Sequence, residues 1–337
     1  MSLKKQLLTE AKLKLNNTKT DVFIPQYGFG TASAPEELEE TKAALKAAVK
    51  AGVRNIDTAR YYGNGHIEYA IGEAIQDLIK EGVVTREELF ITTKVWPTYW
   101  NRAADSLNTS LKALQVDYVD LFLQHWPLCF PQITNEKTGE LIGKPHDENG
   151  EPIYEKDGDY LVTYKQLDRI LDDPINGKKV KSIGVSNYDF VKLERIYADD
   201  TIKNKPSAIQ VELNPQLNQK DLIDFSTKKG ITVIGYSPLG SSGAPILKLP
   251  ELKEISDKYG IKPYDVVISW FISKNLVVIP RSINPDRFKD IKYYYELPDE
   301  DIKKIDQIGE QNPYRHIDED FAKILPGFTG RTKTPNE

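Results

Sequence analysis

A closed (β/α)8 barrel is the fold this sequence predicts, and three observations carry the prediction. Short apolar β-like runs alternate with amphipathic helical patterns along nearly the whole chain. About eight such units follow one another, a number and a chain length suited to one parallel barrel. Polar residues recur at or just past successive strand ends, and a parallel barrel would gather them on one face.

The strand-like runs cover 22–28, 54–58, 89–95, 118–125, 181–185, 208–213, 232–237 and 276–280. Helical patterns fill the intervals at 36–51, 67–80, 102–114, 164–171, 191–198, 221–229 and 264–274. In the first of these, Leu38, Thr41, Leu45 and Val49 fall near one stripe with Glu and Lys opposite, the period of a helix that buries one face. Strand followed by helix, repeated this often, implies parallel strands joined by right-handed crossovers. An open doubly wound sheet shares the alternation and stands as the rival architecture.

Two segments break the rhythm. Residues 131–159 form a polar insertion rich in Gly, Pro, Asp, Glu and Lys. It is too long for a simple connection and is expected to cover or shape a site. The tail, 313–337, carries Tyr314, Phe321 and Phe328 before a polar end. Surface disorder and a packed lid both fit its aromatic part, whereas 332–337 reads as disordered. The whole of 1–337 is read as one barrel domain bearing these two additions.

The 337 residues are 39% hydrophobic and 28% charged, enough to bury a large core. A net charge of −5 argues against a nucleic-acid surface, although local cations could still hold the phosphates of a small cofactor. The lone Cys129 excludes an intramolecular disulfide and suits a reducing, cytoplasmic setting. Residues 1–15 intersperse Lys among Leu and lack the apolar stretch of a secretory signal. No window approaches the ~18 consecutive apolar residues of a membrane span. The glycosylation-like triplets at Asn16 and Asn108 would then meet no glycosylation machinery.

Several motifs can be set aside. Gly28-Phe29-Gly30 lacks the third glycine of a dinucleotide fingerprint and opens no helix, so it reads as a strand end where backbone turns closely. His66, His125, His146 and His316 have no metal-ligand spacing, and one cysteine makes no zinc set; no metal is expected. Neither a Gly-x-Ser-x-Gly elbow nor a phosphate-cradling Gly-x-x-x-x-Gly-Lys loop is present. Glu36, Glu39 and Glu40 read as a solvated helix face.

What remains is a set of four. Asp57 closes one strand-like run, with Tyr62 in the loop beyond it; Lys94 and His125 end the next two runs. Charged groups at such positions are expensive to bury without partners. A phenol has an unperturbed pKa near ~10, too high to give up its proton readily at neutral pH. An adjacent ammonium favours the phenolate and so is expected to lower that value. A buried ammonium in turn needs a carboxylate. Tyr62, Lys94 and Asp57 supply that chain of dependence, and His125 can hydrogen-bond and orient the reacting oxygen.

With these residues in view, the chain resembles the aldo-keto reductase superfamily. Residues 52–75 (G-V-R-N-I-D-T-A-R-Y-Y-G-N-G-H-I-E-Y-A-I-G-E-A-I) resemble its first signature, 89–97 its lysine strand and 118–127 its histidine strand. I-G-V-S-N-Y, Y-S-P-L-G and V-I-P-R-S-I-N-P-D-R continue the likeness in order, over roughly 22–330. L-Q-H-W-P-L-C-F, D-G-D-Y-L-V-T-Y-K-Q-L, G-A-P-I-L-K-L-P and F-A-K-I-L-P-G-F-T-G are most similar to the fungal D-arabinose dehydrogenase type.

The resemblance implies a barrel that binds NADP(H) across its C-terminal face, with Tyr62 as proton donor, Lys94 and Asp57 tuning it and His125 positioning the carbonyl. Gly30, Thr31 and Asp57 match positions bordering the cofactor. Ser186, Asn187 and Gln210 match positions that bond the carboxamide, and Tyr236 the ring stacked on the nicotinamide. Ser237, Pro238, Leu239 and Ser241 match the strap around the pyrophosphate. Arg281, Ser282 and Arg287 match the grip on the 2′-phosphate, where two guanidiniums can fork onto phosphate oxygens.

This chain departs from the family in several places. Most relatives carry Lys at the Arg281 position, and Ile291 follows Asp290 where the family has Asn or Gln near the adenine, so use of NAD(H) stays open. Asn55 replaces the usual His and Gly65 a Glu, neither in the set of four. Ala32 stands where many relatives place a tryptophan, which implies a wider pocket. Trp96, Trp126 and Tyr61 are candidate pocket walls, with core packing the equal alternative.

The expected function is therefore an NADP(H)-dependent oxidoreductase interconverting carbonyls and alcohols. Aldoses such as D-arabinose and small dicarbonyls are the leading substrates; no nucleic-acid or membrane partner is expected, and oligomeric state is left open. An NADPH-binding regulatory subunit with little turnover is the alternative. A barrel glycosidase is more remote, since it needs two strand-end carboxylates across a cleft and only Asp57 and Glu212 offer themselves.

Overall fold

A computed structural model describes residues 3–328. The end of the tail, including 332–337, lies outside them. Eight strands make one parallel sheet: Gly28–Gly30, Asn55–Asp57, Phe90–Val95, Leu121–Gln124, Ile183–Ser186, Ala208–Glu212, Thr232–Tyr236 and Val277–Ile279, each bonded to the next. Tyr27 bridges in parallel to Val278, whose amide donates to the Gln26 carbonyl at 2.7 Å, while the Gly30 amide donates to the Pro280 carbonyl at 2.9 Å. These bonds join the last strand to the first, which closes the barrel and removes the open-sheet rival. Gly28 sits at this seam, where a Cβ would lie 2.9 Å from both the Asn55 side chain and Ile279.

The helices are α1 (Leu38–Lys50), α2 (Ile67–Lys80), α3 (Ala103–Leu114), α4 (Tyr160–Asp172), α5 (Phe190–Ala198), α6 (Lys220–Lys228), α7 (Pro250–Tyr259), α8 (Pro263–Ser273) and α9 (Asp299–Gln311). Asp159 and Asp189 cap α4 and α5, accepting from the amides of Leu161 and Lys192, a role that short acidic side chains fill well. α7 and α9 lie outside the expected alternation. Each has a narrow apolar stripe, Leu252 and Ile255 or Ile305 and Ile308, in an otherwise charged segment.

The run 22–28 is not one strand. Val22–Pro25 pairs antiparallel with Lys12–Leu15 in a hairpin, and the barrel strand begins only at Gly28. Leu15, Val22 and Ile24 of the hairpin pack with Phe90, Leu121, Ala208 and Val277, each the first residue of its strand. The hairpin thus plugs the N-terminal end of the barrel. Full burial of Leu15 and Ile24 contributes roughly 1.5–3 kcal/mol each. The opposite end is left for polar side chains. Among the described residues, no helix is long and apolar enough to cross a membrane.

Candidate active site

Three of the four expected residues lie on or directly after neighbouring strands. Asp57 ends its strand, Lys94 sits within Phe90–Val95, and His125 follows Leu121–Gln124. Tyr62 opens a short 3-10 turn in which Gly63 and Asn64 both take φ of 54°, bending the chain back over the barrel mouth. The left-handed region suits Gly and Asn best.

Lys94 is the hub. Its Nζ donates to Asp57 Oδ1 at 2.7 Å, to the Thr58 carbonyl at 2.9 Å and to Tyr62 Oη at 2.9 Å. The side chain is fully buried and Asp57 nearly so. Gln210 Nε2 donates to the other carboxylate oxygen, Oδ2, at 2.6 Å. The His125 ring meets the Tyr62 ring edge-on at 5.5 Å and the Trp96 ring at 5.0 Å. Its Nδ1 is buried and has no hydrogen-bond partner among the described residues.

Burial governs the protonation of all four. It raises the Asp57 carboxyl against the pull of Lys94, and lowers the Lys94 ammonium against the pull of Asp57. It drives His125 well below its ordinary value, with the Lys94 charge adding to it, so the imidazole is neutral. Tyr62 corrects the expectation of a lowered phenol: burial, and then Asp57, hold it well above its ordinary value. Desolvation outweighs the ammonium here. Tyr62 therefore keeps its proton in this site, with the Lys94 ammonium 2.9 Å from its oxygen.

The expected cofactor residues fall into two groups. Around the four, Ser186 Oγ donates to the Gln210 carbonyl at 2.8 Å, Asn187 Nδ2 to the His125 carbonyl at 3.0 Å, and Tyr236 Oη to Asn187 Oδ1 at 2.7 Å. Asn187 and Ser237 hold positive φ of 61° and 50°, a strain that clusters at functional sites. The Thr31 amide donates to the Asp57 carbonyl at 3.0 Å, while its buried hydroxyl has no partner among the described residues. A Cβ on Gly30 would lie 3.1 Å from the Ile279 carbonyl. Pro238 is buried and Ser241 exposed in a turn closed by Gly240 N to Ser237 O at 3.0 Å and Ala244 N to Ser241 O at 3.2 Å. The second group, Leu239, Arg281, Ser282 and Arg287, lines a cavity of about 410 Å³. A cavity of that size with two guanidiniums on its wall fits a phosphorylated nucleoside.

The candidate pocket walls come together as well. Tyr61 stacks on Trp96 at 4.3 Å, and Trp96 Nε1 donates to the Gly143 carbonyl of the insertion at 2.6 Å. Phe321 packs edge-on against Trp96 at 5.8 Å and Trp126 at 5.2 Å, and Phe328 against Trp126 at 5.2 Å. The aromatic tail is thus a packed lid. Insertion and tail clasp each other through Lys144–Glu319 at 2.6 Å, His146–Asp320 at 2.7 Å and Tyr154 Oη to the Phe321 carbonyl at 2.8 Å.

Glu212, considered as a second carboxylate, instead ties down this lid. It accepts from the amides of His316 at 2.7 Å and Ile317 at 3.2 Å and from Arg315 at 3.4 Å. The two-carboxylate glycosidase reading loses a member. Among the described residues, no three His, Cys, Asp or Glu side chains converge as metal ligands.

Comparison with known proteins meets this geometry at the family level. Residues 26–310 match the Aldo/keto reductase family. The chain belongs to that family. Relatives within it include a glycerol 2-dehydrogenase (NADP(+)) of Saccharomyces cerevisiae, 38% identical over 90% of this chain and 93% of its own. An aldose reductase of Encephalitozoon cuniculi is 37% identical over 94% and 96%, and a D-galacturonate reductase of Hypocrea jecorina 36% over 88% and 89%. These names speak of glycerol, aldose and galacturonate rather than D-arabinose. The aldo/keto reductase barrel, with its oxidoreductase chemistry on carbonyls and alcohols, is therefore the frame for the site.

Proposed function

We propose that this aldo/keto reductase interconverts polyhydroxylated or small dicarbonyl compounds and their alcohols, with NADP(H) as the main hydride carrier and NAD(H) accepted in part. The observation that carries the reading is the single Lys94 ammonium bonded to Asp57 and Tyr62 at once, at 2.7 and 2.9 Å.

When bound, the dinucleotide supplies or accepts the hydride; the chain's own residues handle the oxygen. Tyr62 Oη, kept protonated, donates to the carbonyl oxygen as it gains negative charge. Lys94 then faces a phenolate it is already bonded to, so the charge that develops meets a preorganised cation. Asp57 and Gln210 hold Lys94 in place. Neutral His125 offers a second hydrogen bond to the same oxygen without competing as an acid. Trp96, Trp126 and Tyr61, roofed by the tail, exclude water from that exchange.

Arg281, Ser282 and Arg287 are proposed to take the 2′-phosphate, Ser237, Pro238, Leu239 and Ser241 the pyrophosphate, and Gly30, Thr31, Ser186, Asn187, Gln210 and Tyr236 the nicotinamide end. The substrate class draws on relatives named for glycerol, aldoses and D-galacturonate, and D-arabinose remains the leading pentose. A cytoplasmic setting is part of the proposal. A panel of aldoses and dicarbonyls assayed with NADP(H) and NAD(H) side by side tests it. Turnover of sugars or dicarbonyls with NADPH is the expected result. Cofactor binding without turnover of any carbonyl would favour the regulatory-subunit alternative.

A further inference from the structure

We infer that Glu37 sets how strictly this site separates NADP(H) from NAD(H), by competing with the 2′-phosphate for Arg281. The inference rests on the cofactor reading above and deepens it.

Arg281 is already engaged. Its Nη2 is ion-paired to Glu37 Oε2, and its Nε donates to Ser33 Oγ at 3.0 Å. Glu37 lies in the turn Pro35–Glu37 just before α1, and its carboxylate also accepts from the Ala34 amide at 3.1 Å. Two sides of the guanidinium are therefore held by the chain. Arg287, on the same cavity wall, makes no ion pair among the described residues.

The cavity is also not a simple cation trap. Lys262, Arg281 and Arg287 line it together with Asp265, Asp286 and Asp290. Asp290 pairs with Lys262 at 3.2 Å. A 2′-phosphate brings nearly two negative charges to this wall. Arg287 can meet it directly, whereas Arg281 can do so only by leaving Glu37 or by sharing a position between two anions. Either route takes binding energy from NADP(H). NAD(H) has a neutral 2′-hydroxyl, which needs no guanidinium and which a nearby carboxylate can accept from. Glu37 thus weakens one dinucleotide selectively.

Glu37→Gln tests this, because the amide oxygen can still accept from Ala34 while the charge is gone. Dissociation constants for NADPH and NADH are measured by quenching of tryptophan fluorescence, with thermal melts to compare folding. Glu37→Gln should tighten NADPH about fivefold and leave NADH within about twofold, the scale of one half-exposed charge pair. Arg281→Ala should weaken NADPH and leave NADH unchanged. An unchanged NADPH-to-NADH ratio in Glu37→Gln overturns the inference. Failure of the wild-type chain to bind either dinucleotide overturns the cofactor reading instead, so the two failures are distinct.

Discussion

The buried Lys94–Asp57 pair makes a double-mutant cycle the sharpest probe of how the site is built. Lys94→Met keeps most of the side-chain length and removes the charge. Asp57→Asn keeps the shape and the acceptor for Gln210. Each single change strands the other ion: Asp57 would be left with only the 2.6 Å bond from Gln210, or Lys94 with only the Thr58 carbonyl and Tyr62. Removing one member of a buried pair costs about 3–5 kcal/mol, a large share of a stability of roughly 5–15 kcal/mol.

The double variant strands no ion and should recover about 2–3 kcal/mol of the summed loss. Urea unfolding followed by circular dichroism gives the four free energies. Carbonyl reduction should not recover with stability, because Tyr62 has lost its cation in two of the variants and its tuning pair in all three. Single-variant losses that add within about 0.5 kcal/mol would mean the pair is not coupled, and the account of Lys94 as hub would fall.

Other expectations follow from the same geometry. Burial lowers the pKa of His125, so the unfolded chain takes up a proton below ~6.5 that the native imidazole refuses. Native stability is therefore full above that pH and falls as pH drops, at up to about 1.4 kcal/mol per pH unit from this group. His125→Gln should flatten that acid limb; identical pH profiles for the two proteins would contradict it. Glu212→Gln should loosen the lid, since it removes charge-assisted bonds worth about 1.5–3 kcal/mol. Faster limited proteolysis after α9 and a raised KM for substrate are expected, whereas unchanged cleavage would show that the tail is held elsewhere.

Much of the fold was legible because strand and helix periods alternate cleanly, and α2 runs over the predicted 67–80 span as Ile67–Lys80. The N-terminal hairpin was not, because Val22–Pro25 and Gly28–Gly30 read as one apolar run and only tertiary pairing separates them. The four polar residues stood out since buried charge at a strand end demands a partner. Their pairing followed from chemistry, but the sign of the Tyr62 shift did not, because it depends on how dry the site is. The roles of Glu212 and Gly143 depend on where the tail and the insertion meet, and no local pattern reports that. The Glu37–Arg281 pair spans most of the chain and could emerge only from barrel closure.

Whether Tyr62 supplies the proton is decided by one substitution, Tyr62→Phe. The variant keeps the ring beside His125 and removes only the hydroxyl bonded to Lys94. Steady-state NADPH oxidation with a reactive aldehyde should fall by about 10²-fold or more, while the NADPH dissociation constant stays within about twofold of wild type. Near-normal turnover by Tyr62→Phe would contradict the account.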